Sequence, residues 1–435
     1  MNFDQSKALQ KKAHRLIPGG SHTYAKGDDQ YPFNAPSFIA RGKGCRVWDV
    51  DGNEFIEYGM GLRAVTLGHT YEPVVAAAYR QMLLGSNFTR PAAIEVAYAE
   101  ELLELFEGAE MVKFAKNGSD VTTAAVKLAR AYTDRDKIAI CADHPFFSTD
   151  DWFIGTTPMD AGIPTSIKDF TVKFYYNDLE SLKEAFTANP DQIAGVILEP
   201  ATTEEPRNNF LHEIKNLCHK YGAVFILDEM ITGFRWHLSG AQKYYGIEPD
   251  LSAFGKAIAN GFSLSALVGK NEIMQLGGLR HERERVFLLS TTHGAETIAI
   301  AAAQETLNVY KKENVIDFLN QQGCKLADGI NAAIDAHHLR DHFAILGKPC
   351  NLVYAAKDQE KNHSQAFRTL FLQEMIKRGF IMPSLVVSFS HTDAIITRTV
   401  EAIHESLAVY KQALENGVEK YLTGRPVKPV FRRYN

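Results

Sequence analysis

From about residue 72 the chain alternates amphipathic helical segments with short apolar runs: MVKFAKNG, KIAICA, IAGVILEPA, AVFILDEM and SALVGK. Runs of that length, rich in Val and Ile, predict the strands of a mostly parallel sheet covered by helices on both faces. Residues 72–310 are thus expected to form a large α/β domain. Before it, MNFDQSKALQKKAHRLIPGG predicts a polar amphipathic helix ending at Pro18-Gly19-Gly20. GCRVWDVDGNEFIEY, residues 44–58, alternates apolar and polar positions about Asp51-Gly52, as a hairpin does. Beyond 310 the pattern is helical again, with strand-like pieces at NLVYAA and LVVSFS. The two ends, 1–71 and 311–435, are expected to combine in a smaller α+β domain.

Composition narrows the partners. With 47 Lys+Arg against 52 Asp+Glu, the formal charge of −5 offers nothing for bulk binding to nucleic acid or to a membrane surface. An anionic ligand must be met by local positive groups. Five scattered cysteines without a CxxC pair argue against a disulfide framework or a zinc ribbon and suit a reducing cytoplasm. No apolar signal core opens the chain and no 18-residue apolar run occurs, so a soluble, unprocessed protein is the expectation.

In open parallel sheets ligands lie beyond the carboxyl ends of the strands, so the residues that end each apolar run are the candidates. MVKFAKNGSD ends in Asn117-Gly118-Ser119-Asp120, a glycine turn opening a helix with apolar face Val121, Ala125, Leu128 and Ala129. Such a turn presents backbone N–H groups and a helix dipole to a phosphate; the plainer alternative is that Ser119 or Asp120 caps the helix. AVFILDEM delivers Asp228 and Glu229, adjacent carboxylates that cannot both belong to an apolar core. GVILEPA delivers Glu199, CADHPFFSTDDWF places Phe146 and Phe147 after a strand, and STTHGAET is a hydroxyl-rich loop before an alanine-rich helix. DLSAFGKAIANGF sets Lys256 in a glycine-flanked, nearly uncharged stretch. Together these describe a site for a planar, phosphorylated ligand with a cationic nitrogen and a lysine within covalent reach, which is pyridoxal 5'-phosphate.

The ordered motifs NGSD, LEP, LDEMITGFR, PDLSAFGKAIANG and STTHGAE resemble those of class III aminotransferases, fold-type I pyridoxal-phosphate enzymes, and most nearly the glutamate-1-semialdehyde aminomutase-like branch. The likeness runs from IPGGSHTYAKG to SHTD near residue 393. It implies a large domain with a mostly parallel seven-stranded sheet, and it implies a homodimer whose active sites are built by both chains. It further implies that Lys256 forms the Schiff base and shuttles the proton, and that Asp228 pairs with the pyridine nitrogen. Gly118 and Ser119 would hold the phosphate, Phe146 and Met230 would flank the ring, and Glu199 would lie near its hydroxyl edge. Thr292 would reach the phosphate of the neighbouring subunit.

Departures from the aminomutase pattern bear on the substrate. Lys26 stands in PGGSHTYAKG where the aminomutases have an arginine, Phe146-Phe147-Ser148 replaces Tyr-His-Gly, and Arg63 and His293 are additions. These features, and the closing GRPVKPVFRRYN, resemble the branch that aminates keto or aldehyde sugars. Arg63, Lys26 and Arg90 would meet a carboxylate, and His293 and Tyr24 hydroxyls, although each is equally suited to a surface or an interface. The leading expectation is a transaminase between an amino donor such as L-glutamate and an acidic sugar. An intramolecular aminomutase and a catalytically silent pyridoxal-phosphate domain are the alternatives. His338 and His342 have the spacing of one helix face but lack a third ligand, so no metal site is expected.

Overall fold

The computed structural model describes residues 1–434, which fall into two compact units: Met1–Tyr71 with Asp317–Arg432, and Glu72–Ile316 with the last residues from Arg433. The change of unit comes at 316 rather than 310, because the helix over these residues is still tied to the second unit there: the Tyr310 hydroxyl donates to the Ala257 carbonyl at 2.7 Å.

In the first unit, helix α1 (Asp4–Leu16) begins at Phe3, which has no capping side chain. Its free N–H groups are met from the hairpin turn instead, where the Asp51 carboxylate accepts from Gln5 and Ser6, both at 2.8 Å. The hairpin is formed by β2 (Arg46–Asp49) and β3 (Glu54–Glu57), with β1 (Ile39–Lys43) antiparallel to β2. Phe380–Ile381 adds a parallel fourth strand beside β3. NLVYAA supplies Val353–Ala356, which pairs antiparallel with Phe343–Leu346. LVVSFS is no strand. Leu385 to Ser388 are buried, but the segment's N–H groups go to separate partners: Leu385 to the Leu352 carbonyl, Val386 to that of Tyr58, and Phe389 to that of Thr66.

The second unit holds the seven-stranded sheet. Its strands are β4 (Met111–Ala115), β5 (Lys137–Cys141), β6 (Thr171–Phe174), β7 (Ile193–Leu198), β8 (Val224–Asp228), β9 (Leu251–Phe254) and β10 (Ser265–Gly269), in spatial order 4-10-9-8-7-5-6. Only β10 runs against its neighbours. The link from β9, residues 255–264, is shorter than the roughly dozen residues a parallel crossover needs. Strands β7, β8 and β9 are buried along their whole length, which is why β7 and, up to Asp228, β8 are continuously apolar.

Helices cover the sheet. Flanking it are α2 (Glu72–Leu84), α3 (Ala93–Leu103), α4 (Gly118–Thr133), α5 (Leu179–Ala188), α6 (Phe210–Lys220) and α7 (Thr297–Lys312). The buried face of α4 carries Val121, Ala125, Leu128 and Ala129 against β7, β9 and β10. Small residues on α7, among them Ala299, Ala302 and Ala303, let it lie close along α2. Because β4 to β9 are mutually parallel, their carboxyl ends share one edge. Chain order turns outward from β5 to β6 and returns on the other side of β5 to β7, which places a crevice between β5 and β7 at that edge.

Behind the edge, Phe254 of β9 stacks on Phe106 with ring centroids 4.3 Å apart and packs against Phe234 at 5.9 Å. Gly233 is pressed into this cluster: a Cβ there would lie 2.6 Å from Phe254 Cδ1 and 2.7 Å from the Glu229 carbonyl oxygen. Gly233→Ala is expected to destabilise the fold by about 1–3 kcal/mol through overpacking. Urea unfolding would show it as a lower midpoint at unchanged slope, and an unmoved midpoint would refute it.

Candidate active site

The edge collects the residues that end the strands. Asp228 is the last residue of β8, 1% exposed, and its Oδ1 accepts from the Met230 N–H at 2.9 Å. Burial pushes this carboxyl above the ordinary carboxylate range, while the nearby charge of Lys256 opposes that shift and favours the ionised form. Lys256 follows β9 after Gly255, opens the 3-10 turn Lys256–Ala259 and has a left-handed backbone, φ +45°. A non-glycine residue held there carries local strain that the surrounding structure must maintain.

Glu229 takes the opposite role from its neighbour. It is fully buried, and its carboxylate accepts from the Thr232 hydroxyl, from the Ala241 N–H at 2.9 Å and from the Gln242 N–H at 2.7 Å. It pins the turn at 240–242, and burial raises it to about 7. Of the two adjacent carboxylates, Asp228 faces Lys256 and Glu229 belongs to the scaffold.

At the start of α4, Asp120 closes the helix end by accepting the Asn117 N–H at 2.9 Å, which frees Ser119 from capping. The Ser119 hydroxyl accepts instead from the Thr149 N–H at 3.0 Å, tying the α4 turn to the loop after β5. Met230 joins this turn to the lysine turn: a Cβ on Gly118 would lie 2.8 Å from its sulfur, and one on Gly255 2.7 Å from it. Both positions need glycine because the thioether fills the space. In the loop after β5 the two phenylalanines part ways. Phe147 is core, 2% exposed, whereas Phe146 is 43% exposed and meets Phe153 edge-on at 5.6 Å.

Glu199, at the end of β7, is buried, and its backbone N–H donates to His144 Nδ1 at 2.9 Å. The Tyr176 hydroxyl donates to the next carbonyl, that of Pro200, at 2.6 Å. His144 and Tyr176 are site-shaping residues that sequence patterning does not reveal. Burial lowers the His144 imidazole to about 3, so it is neutral and free to accept at Nδ1. The signal was present as a histidine lodged before a proline in the apolar stretch CADHPFF.

The other candidates are spread out. Thr292 and His293 lie in an exposed loop, with His293 Nδ1 3.3 Å from Asn87 Nδ2. The helix after that loop, α7, is capped by Glu296, which accepts from Ile298 at 3.0 Å and Ala299 at 3.1 Å while pairing with Lys116 at 2.7 Å. Arg90 is exposed in the second unit. Arg63, Lys26 and Tyr24 belong to the first unit. Arg63 is half-buried and its Nε donates to Asn351 Oδ1 at 2.7 Å; Tyr24 and Lys26 are exposed on one 3-10 turn. His338 lies beyond its helix, which ends at Ala336, so it shares no helix face with His342. Among the described residues no three His, Cys, Asp or Glu side chains are grouped to hold a metal.

A buried carboxylate facing a lysine, a helix N-terminus with small residues and a hydroxyl that keeps its own proton to donate, and a half-exposed aromatic ring form one donor set. They fit pyridoxal phosphate, matching in turn its ring nitrogen and aldehyde, its phosphate and its flat face. Fold and site define a fold-type I pyridoxal-phosphate enzyme. Residues 28–403 match the family described as aminotransferase class-III, and the chain belongs to it. It is 33% identical to the 3-aminobutyryl-CoA aminotransferase of Cloacimonas acidaminovorans over 95% of this chain and 99% of that one. It is 31% identical to the glutamate-1-semialdehyde 2,1-aminomutase of Archaeoglobus fulgidus, over 94% and 100%. Among solved structures, the FumI protein of Sphingopyxis sp. MTA144 in its PLP internal aldimine form superposes with a TM-score of 0.86 at 28% identity, covering 97% of this chain and 98% of that one.

Glu229 generates a pH prediction. Its folded-state value of about 7 stands above the ordinary 4.5, so its contribution to stability is fully present below about pH 4.5 and declines as pH rises towards 7. Glu229→Gln is expected to flatten that decline in thermal unfolding between pH 5 and about 7.5. An unchanged slope would show that another group carries it.

Proposed function

We propose that the protein transfers an amino group from an amino acid, L-glutamate in the first instance, to an acidic keto or aldehyde sugar. The reading rests on the buried Asp228 carboxylate with Lys256 in electrostatic reach at the carboxyl edge of the sheet. Pyridoxal phosphate, when bound, supplies the sink for the electron pair left on the donor's α-carbon. Asp228 would hold the proton on the ring nitrogen that makes the ring such a sink. Gly118 and Ser119 would hold the phosphate with the N–H groups of the first turn of α4, Phe146 and Met230 would flank the ring, and Glu199 would lie near its hydroxyl edge. Lys256 would fasten the cofactor and, when released by the donor, would take the proton from the donor's α-carbon; a flexible primary amine suits both tasks.

For the acceptor, the first unit offers a cavity of about 710 Å³ lined by Ser21, His22, Thr23 and Lys26. Hydroxyl and imidazole groups beside one ammonium suit a carboxylate on a polyhydroxylated chain. Arg63, Arg90 and His293 are further candidates for meeting the substrate's carboxylate and hydroxyl groups. The acceptor we favour is 3,8-dideoxy-8-oxo-D-manno-octulosonate, aminated to 8-amino-3,8-dideoxy-D-manno-octulosonate for lipopolysaccharide, a cytoplasmic step. Resemblance of the closing segment to that of sugar-aminating relatives supports this choice.

A homodimer is part of the same reading. Val75, Tyr79, Met82, Leu83 and Leu84 of α2 and Val96 of α3 are large apolar side chains left 43–73% exposed, a face suited to a second copy. Thr292 on its exposed loop then reaches the phosphate held by that copy. Leu83→Glu with Leu84→Glu is expected to give a monomer in sedimentation and to lose activity. Retention of the dimer would place the interface elsewhere.

Lys256→Ala is expected to abolish the visible absorbance change on adding L-glutamate and to lower turnover by at least about 10²–10⁴-fold. Asp228→Asn is expected to keep the cofactor but lose turnover similarly. Repeated release of 2-oxoglutarate with glutamate and the sugar establishes transamination. A stable yellow enzyme with glutamate that responds to a diamino acid would favour the aminomutase, the activity named for the Archaeoglobus relative.

A further inference from the structure

The turn that carries Tyr24 and Lys26 is fastened from two directions. It is followed by Gly27 and a second 3-10 turn, Asp28–Gln30. A Cβ on Gly27 would lie 2.7 Å from Asp29 Oδ1 and 3.0 Å from the Tyr24 carbonyl oxygen, so the two turns are closely nested. From one side α1 grips Asp28, with His14 Nε2 2.9 Å from Oδ1 and Gln10 Nε2 donating to Oδ2 at 2.5 Å.

From the other side comes the C-terminal tail. It is anchored first on helix Gln365–Lys377, where the Thr423 N–H donates to Gln373 Oε1 at 2.6 Å and the Val427 N–H to Thr369 Oγ1 at 2.8 Å. Val427 is 2% exposed, so this part of the tail is core rather than loose end. From that anchor Arg425 Nη2 donates to the Asp28 carbonyl at 2.8 Å and reaches its carboxylate at 3.4 Å. The Lys428 N–H donates to the Asp29 carbonyl at 3.0 Å, and Arg432 pairs with the Asp29 carboxylate at 2.7 Å. Arg425 also borders the cavity that Lys26 lines.

We propose that the C-terminal tail is a specificity-determining element: Arg425 and Arg432 clamp Asp28 and Asp29 and thereby fix the Tyr24–Lys26 turn in the position that receives the sugar acid. This rests on the reading that Tyr24 and Lys26 contact the acceptor. The physical reason for a clamp is preorganisation. A turn flanked by Gly19, Gly20 and Gly27 samples many conformations when free, and ordering it at each binding event would weaken affinity for the acceptor alone. The arginines act as positioning residues. The forked guanidinium of Arg425 suits a target that is part carbonyl and part carboxylate, which a lysine meets less well.

The test uses the full-length holoenzyme with Arg425→Gln and Arg432→Gln together, Arg425→Lys as the conservative variant, and a chain ending at Gly424. Three readouts are taken: the absorbance-monitored half-reaction with L-glutamate, KM and kcat for 3,8-dideoxy-8-oxo-D-manno-octulosonate, and hydrogen exchange of the amides of residues 21–31. The double variant is expected to leave the glutamate half-reaction within about twofold, to raise the acceptor KM about tenfold with little change in kcat, and to speed exchange in 21–31. Arg425→Lys should recover part of the KM. Equal losses in both half-reactions would mark a purely structural tail, and an unchanged acceptor KM would sink the clamp even if exchange quickens; should the truncated chain not fold, the double variant decides. Lys26→Gln separates the two claims. If it raises the acceptor KM while the double variant does not, the clamp fails and the acceptor reading stands; if it changes nothing, the acceptor reading fails.

Discussion

The site depends on placing a carboxylate where water cannot stabilise it. Asp228 is buried at the end of a strand that is itself buried on both faces, and burial by itself would drive a proton onto it. What favours the ionised form is positive charge, which Lys256 supplies. The chain therefore has to deliver β8 and β9 side by side with their carboxyl ends level, and the sheet order does so. Glu229, one residue further on, shows the other way to keep a carboxyl group inside a protein, by surrounding it with a hydroxyl and two backbone N–H groups.

Much of this was legible in the sequence where burial is complete. The runs that became β4, β5, β7, β8 and β10 are continuously apolar or nearly so, and the apolar face named for α4 is the buried one. Strand β6, at the sheet edge with only Phe174 fully buried, and β9, four residues long, have no such signature. LVVSFS was apolar for a reason other than strand pairing: it is buried, and its N–H groups are satisfied by separate partners. Nor can a single run announce its direction, and β10 is antiparallel because of the short link before it.

The chemistry was legible to a different degree. Lys256, Asp228, Gly118 and Ser119 stand out because charge, glycine and hydroxyl groups interrupt apolar runs at strand ends. Which of two adjacent carboxylates or phenylalanines faces the site was not, since that depends on what each side chain meets: Ala241 and Gln242 for Glu229, His144 and Phe153 for Phe147. His144 and Tyr176 act on the backbone of Glu199 and Pro200 from loops distant in sequence. Arg63, by contrast, had the look of a free fork and proves to be engaged with Asn351.

Met230 bears on how such a chain can change over generations. Its sulfur occupies the space beside both Gly118 and Gly255, so a side chain at either glycine requires the sulfur to move, and a larger residue at 230 meets both backbones at once. The turn that opens α4 and the lysine turn, far apart in sequence, are thus joined through one thioether. Substitutions at the three positions are not independent. A change at any one of them therefore calls for a compensating change at another.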